Sequence, residues 1–284
     1  MNYNAKSFNG FTLIELLTII AIIGVLGSIV VASTNTSREK ARITRNIAMD
    51  TSIRRTQGDQ LVGEWLFNDP DNRTIDTGGH GFDGIIKGSL EYLPEGGFDG
   101  SGAFRWTDHQ QNINVGNDPR LNPEQFTITA WIKPEDTTEN VIGIFSNSTS
   151  GTGGVFNGHH LHITKFNGNP RVLGKIWNGS VSTTISHIDI QWGQWRHIAF
   201  VYDGTQMILY MDGKEIVRNA TSHGVGSPAS NNTLIGGTAL GNRWGFSGVM
   251  DQVRIYSNVL LTDQIQDIYA QERRHLIHSM IARN

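Results

Sequence analysis

Glu15 is the only ionisable residue between Phe11 and Ala32. A carboxylate near bilayer depth is costly and persists only where water or a counter-charge meets it. Glu15 therefore reads either as a contact for a cation on a neighbouring chain or as a side chain that snorkels to the headgroups. Further along, GHHLHI at residues 158–163 places His160 and His162 on one face of a strand and His159 on the other. Imidazole pairs ligate transition metals, but no third ligand stands nearby, and the stretch reads as a half-exposed strand. Trp106, Trp177, Trp192 and Trp244 lie near turns or strand ends, where an indole either packs at the rim or stacks on a sugar ring. Trp177, beside Asn178-Gly179, and Trp244, in GNRWGF, are the candidate ligand-binding residues. Glycoside hydrolysis needs two carboxylates flanking the scissile bond, and no Glu-x-Asp-x-x-Glu stretch is present. Gly-x-Ser-x-Gly is also absent, so no catalytic residues are assigned and the chain is not expected to be an enzyme.

The elements that position these residues follow from composition and periodicity. With 284 residues, 23 Lys+Arg and 26 Asp+Glu, the chain has no field to recruit nucleic acid. The absence of cysteine excludes disulfides and thiolate metal sites. Phe11 to Ala32 is long enough to cross a bilayer as a helix and has no polar stripe. A cleaved secretory signal ending near VVASTNTS is the alternative. The stem that follows contains no proline, and one helix is expected from about Phe11 to Arg55, with Gly58 as its stop.

From Leu61 the pattern turns to short alternating runs. FTITAWIKP puts Phe126, Ile128, Ala130 and Ile132 on one face. Asn167-Gly168, Asn178-Gly179, Asp203-Gly204 and Asp212-Gly213 supply the positive φ of tight hairpins, which predicts antiparallel meanders packed as a sandwich. Near the C-terminus, Thr262 is the expected N-cap of a helix that continues through QERRHLIHSMIARN.

Two stretches carry family resemblances. Gly10-Phe11-Thr12-Leu13-Ile14-Glu15 resembles the processing signature of type IV prepilins and type II secretion pseudopilins. The resemblance implies cleavage by prepilin peptidase after Gly10, methylation of Phe11, filament assembly through Glu15, and other pilin subunits as partners. It places the precursor in the cytoplasmic membrane and the mature head outside, on a surface filament. Arg38, Lys40, Arg42 and Arg45 follow the apolar run whereas only Lys6 precedes it, and the positive-inside rule alone favours the reverse orientation.

The second resemblance rests on LVGEWLFND, IDTGGHGFDG, FTITAWIKP, GQWRHIAFVYDGTQMILYMDGKEI and FSGVMDQVRIYSNVLLTDQIQDIY, which are similar, in order, to laminin-G-like, concanavalin A-like jelly-roll domains. It implies that Trp65, Trp131 and Trp195 are core residues, and that the glycine-rich loop and the strand of Asp251 meet around a structural Ca2+. Asp76, Asp83 and Asp251 are the expected calcium ligands, because calcium takes carboxylates together with carbonyls from a glycine-rich turn. The alternative is that Asp76 makes an Asx-turn and Asp251 caps backbone amides.

The expected fold is mainly β: an antiparallel two-sheet jelly-roll sandwich preceded by one long transmembrane and stem helix and followed by a short C-terminal helix. The expected boundaries are a leader at 1–10, the hydrophobic helix and stem at 11–57, the jelly-roll at 58–260 and the last helix at 261–284. The expected function is a minor pilin or pseudopilin-like subunit displaying a lectin-like head for adhesion to glycan or protein. A membrane-anchored carbohydrate-binding protein that never polymerises and a secretion pseudopilin are the alternatives.

Overall fold

The computed structural model describes residues 13–14, 16–24, 60–69, 71–150, 156–187, 190–227, 232–238 and 244–282. The chain divides into two compact units, Met1–Thr56 and Gln57–Asn284.

In the first unit, residues 13–14 and 16–24 are helical (α1) and every one of them is exposed. Leu13, Ile14, Leu16, Leu17, Ile19, Ile20, Ile22 and Ile23 expose apolar side chains all round it, the pattern of a helix meant for lipid or other helices. Thr18 spends its hydroxyl inside α1 by donating to the Ile14 carbonyl at 3.1 Å. Among the described residues no helix is long and apolar enough to cross a membrane. Gly10, Phe11 and Glu15, the rest of the apolar run and the stem to Gly58 lie outside the described residues.

The second unit holds two antiparallel sheets. One has eight strands: β1 (Leu61–Trp65), β3 (Glu91–Leu93), β4 (Ala103–Trp106), β6 (Phe126–Pro134), β11 (Arg196–Tyr202), β12 (Gln206–Met211), β13 (Lys214–Ala220) and β15 (Gly248–Tyr256). They run in the order β13-β12-β11-β6-β15-β4-β3, with β1 also paired to β15. The other sheet has seven: β2 (Ile85–Lys87), β5 (Asn112–Asn114), β7 (Val141–Ser150), β8 (Phe156–Phe166), β9 (Asn169–Gly179), β10 (Val181–His187) and β14 (Leu234–Ile235). Their order is β10-β9-β8-β7-β14-β5-β2. The sequence neighbours β4 and β5 fall in different sheets, as do β10 and β11, which is the jelly-roll arrangement.

The four predicted turns all join hairpins, each by its own chemistry. Asn167-Gly168 and Asp212-Gly213 have φ of 51° and 81°, and 52° and 76°, the doubly positive pair of a type I′ turn. At the third, Val181 pairs with Asn178, so the turn centres on Gly179-Ser180 rather than on Asn178-Gly179. At the fourth, a longer loop forms because Asp203 Oδ1 accepts from the amides of Thr205 and Gln206.

The core lies between the sheets. Phe126, Ile128, Ala130 and Ile132 face it as predicted, meeting Phe145, Leu161, Ile163, Val172 and Ile176 from the opposite sheet. Each such buried side chain contributes about 1.5–3 kcal/mol. A second apolar cluster forms outside the eight-stranded sheet, where Ile265 and Ile268 of α2 (Thr262–Ala282) cover Ala199, Val201, Ile208, Tyr210 and Tyr256. The last helix thus packs on the sandwich. Thr262 is its first helical residue rather than its cap. Gln264 Oε1 instead accepts the Leu261 amide at 2.8 Å, half of a capping box.

Candidate functional site

The loop from Ile75 to Gly84 is built around one carboxylate. Asp76 is 4% exposed. Its Oδ1 accepts the amides of Glu64 and Gly78 at 3.0 Å each, and its Oδ2 accepts those of His80 and Phe82 at 3.0 and 3.1 Å. Wrapping four amides around one anion bends the chain through positive φ at Gly79 (81°) and Gly81 (79°), which glycine adopts without a Cβ penalty. Asp83 Oδ1 closes the loop by accepting the Asp76 amide at 2.9 Å.

This loop forms one lip of a groove of about 680 Å³, within the size range of small-molecule sites. Phe82 and Val115 are buried at its base. The Arg120 guanidinium lies 4.6 Å over the Phe82 ring, held by a two-point pair to Asp118 at 3.0 and 2.9 Å. The Arg120 hydrogen bond in turn lowers the Asp118 pKa. Asn114, Asn117 and Asn232 add amides to the lining and His80 an exposed ring. The groove thus offers paired donors and acceptors around an apolar base, the combination that hydroxyl groups on a ring require.

The histidines divide between the two faces as predicted, but the stretch is not half-exposed: every residue from 158 to 163 is buried. His159 points into the core between Phe126 and Phe145, with ring centroids 4.5 and 5.9 Å away. Burial lowers its pKa to about 3. His160 and His162 lie on the outer face of the seven-stranded sheet with ring centroids 4.2 Å apart. Burial, with Lys175 nearby, lowers His162 to about 3 and keeps His160 neutral as well. The two rings lie face to face, so their in-plane lone pairs do not converge on one metal ion. Trp177 packs beside them with Phe156, and the Lys175 ammonium sits 4.8 Å over its ring.

Comparison with known families fits this architecture. A family model described as the Concanavalin A-like lectin/glucanases superfamily matches residues 107–266. The chain belongs to this superfamily. A second model, the prokaryotic N-terminal methylation motif, matches residues 5–31, so the superfamily domain follows a type IV pilin-type processing segment. Over 156 residues, 51% of the chain, the sequence is 26% identical to Pappalysin-1 of Mus musculus, and it spans 10% of that protein's length. Domain 4 of AbnA, a GH43 extracellular arabinanase from Geobacillus stearothermophilus solved with arabinotriose, aligns with TM-score 0.57 and 23% identity, over 74% of this chain and 98% of that one. The Ruminococcus gnavus IT-sialidase CBM40 bound to alpha2,3 sialyllactose aligns with TM-score 0.51 and 18% identity, over 59% and 96%. The Botulinum neurotoxin serotype G binding domain gives 0.56 and 16%, over 74% and 50%. At these identities the likeness is one of fold.

Within the superfamily domain, the three aspartates expected to bind calcium do not form one ligand set. Asp76 has four amides on its two oxygens, and Asp83 serves the same loop. Asp251, fully buried, lies against the 97–99 turn, where its Oδ2 accepts the Phe98 amide at 3.1 Å and its Oδ1 has no hydrogen-bond partner among the described residues. Burial, then the Asp99 charge, pushes its pKa well above the carboxylate range. Among the described residues no three His, Asp or Glu side chains gather as a metal-ligand group. The alternative describes both residues better, since Asp76 Oδ1 accepts the amide two residues on and Asp251 caps the Phe98 amide.

The tryptophans are redistributed. Trp65 is core, with its Nε1 donating to the Phe82 carbonyl at 2.9 Å. Trp131 is buried on the outer face, stacked between Phe98 and Tyr269 beneath α2. Trp195, expected in the core, is half-buried, and Trp106, expected near the rim, is fully buried against Phe104 and Phe246. Trp244 is half-buried, and its carbonyl receives the Gly143 amide. Sequence reading missed Arg120 and Asp118, although Asp-Pro-Arg is a recognisable turn start. It also missed Lys175, two residues from Trp177 and so on the same strand face.

Proposed function

We propose that this chain is a membrane-anchored, pilin-like subunit whose jelly-roll head binds carbohydrate. The observation that carries the reading is the union, in one chain, of an N-terminal methylation motif and a lectin-superfamily domain. Fold relatives described in complex with arabinotriose and sialyllactose support a glycan as the ligand. The groove lined by the Asp76 loop and Arg120 is where it would bind, its amides and the Arg120–Asp118 pair meeting hydroxyls.

In this reading a peptidase cuts between Gly10 and Phe11 and the new amino terminus is methylated. Glu15 then pairs with the amino terminus of a neighbouring subunit and sets its register in a filament. The precursor sits in the cytoplasmic membrane and the head is presented outside the cell. The all-round apolar surface of α1 serves a simple lipid anchor equally well, so polymerisation needs its own test. Mass spectrometry of the mature amino terminus is expected to find methylated Phe11, and an intact Met1 overturns the processing step. Glu15→Ala is expected to be processed yet missing from sheared filaments. A glycan array with the full chain in detergent tests the head, and Arg120→Ala is expected to weaken any ligand found.

A further inference from the structure

The geometry points to a separate subsite for a sugar bearing an anionic substituent, on the outer face of the seven-stranded sheet, with Lys175 as its contact residue. It rests on the carbohydrate reading of the head and names the class of glycan.

Register puts Ser146, His160, Lys175 and Thr184 side by side across β7, β8, β9 and β10. Because paired residues on antiparallel strands share a face, this row forms one surface. Thr184 is exposed, Lys175 half-buried, and His160 and Ser146 are 2% and 0% exposed. The row therefore runs from the exposed edge at β10 to covered side chains at β8 and β7. At the covered end His160 Nε2 and His162 Nδ1 have no hydrogen-bond partner among the described residues, so the accessible part of the row is Lys175 and Thr184.

The charge along this row is one-sided. Lys175 touches the Trp177 ring, and among the described residues no carboxylate pairs with it. Burial lowers its pKa, a cost that an incoming anion would offset. The neighbouring histidines are neutral and add no competing negative charge. Trp177 is 7% exposed with the ammonium above it, so its role is to position Lys175 rather than to stack on the ligand. A carboxylate or sulfate ester on a sugar satisfies the ammonium, and ring hydroxyls reach the exposed hydroxyl of Thr184. A metal ion does not fit, because the stacked imidazoles do not converge.

The test titrates the full chain in detergent with α2,3-sialyllactose and trigalacturonate as carboxylate probes, a sulfated chondroitin disaccharide as the sulfate probe, and lactose and arabinotriose as neutral ones. At least one acidic probe is expected to bind about tenfold tighter than its neutral counterpart and to weaken with salt. The carboxylate and sulfate arms tell which anion is preferred. Lys175→Gln is expected to lose that preference while keeping Tm and neutral binding, and Lys175→Arg to retain it. Neutral binding without acidic preference, or a Lys175→Gln variant that keeps the preference, overturns the subsite alone. Failure of every probe overturns the carbohydrate reading and the subsite with it.

Discussion

The two outer faces of the sandwich treat a cation withdrawn from water in opposite ways. Outside the eight-stranded sheet, Arg254 Nε donates to Glu64 at 2.6 Å and its Nη1 to Glu272 on α2. Glu272 also accepts the Trp131 indole N–H at 2.6 Å, and Glu64 accepts the Thr77 hydroxyl at 2.8 Å. Burial opposes the Arg254 charge, but the Glu272 and Glu64 carboxylates outweigh it and raise its pKa. Beneath α2, then, the Arg254 charge is matched, although both His197 ring nitrogens and Asp251 Oδ1 on the same face have no hydrogen-bond partner among the described residues. Outside the seven-stranded sheet Lys175 is half-buried, and among the described residues no acid pairs with it. A matched cation helps to lock a helix in place, whereas an unmatched one is a standing demand for an anion.

The sharpest way to break the contrast is Arg254→Ala. It strands two buried carboxylates and is expected to cost about 3–5 kcal/mol, read as a shift in the urea midpoint. Adding Glu64→Gln and Glu272→Gln should recover part of the loss, because the stranded charge goes with them. A loss under 1 kcal/mol would mean that the network is solvated and the helix held by Ile265 and Ile268 alone.

Arg254 also shows where sequence reading stops. Hairpins were legible because Asn-Gly and Asp-Gly answer a local demand for positive φ, and the inward face of β6 because alternation is local too. Alternation does not say what covers the other face, so Trp131 read as core although it lies beneath a helix some 140 residues on. The Asp76 loop was legible as glycine-rich, but an aspartate that binds amides and one that binds a cation look alike in sequence. Lys175 becomes a candidate only when register sets it beside His160, and register between strands is a tertiary fact.

The next effect concerns pH. His159 and His162 are held neutral in the fold at a pKa of about 3, against an ordinary value of 6.5. Between those values the unfolded chain binds more protons than the native one, so stability falls as pH falls from 6.5 towards 3. At pH 5 the penalty is about 2 kcal/mol for each ring, and His160 acts in the same direction. Asp251, pushed upward by burial, works in the opposite sense. The increment is therefore isolated with His159→Phe, which should narrow the gap between urea midpoints at pH 7 and pH 5. An unchanged gap would mean that this ring is not held neutral in the core.

A smaller loss is expected at the groove lip. Asp76→Asn replaces a charge that accepts four amides by a carboxamide with one acceptor oxygen, for a cost of about 2 kcal/mol. His80 and Phe82 hang from the lost oxygen, so glycan affinity in the groove should fall with stability. A chelator is expected to leave Tm unchanged, because amides rather than a cation satisfy this carboxylate. A chelator-induced drop in Tm would reassign the loop.

The smallest stability effect is expected where the functional effect is expected to be large. Lys175→Met keeps a flexible apolar stem over Trp177 and removes an ammonium that burial already disfavours. Its urea midpoint should therefore match the wild type to within about 0.5 kcal/mol, as for surface substitutions that break no pair, or lie slightly above it. A residue retained for packing or for an internal ion pair would instead lose about 1 kcal/mol or more when its charge is removed. A destabilised Lys175→Met would thus place this lysine with Arg254 among the groups that hold the sandwich together. An unaffected midpoint, with acidic glycans no longer preferred, is the pattern expected of a charge that waits for its partner from outside.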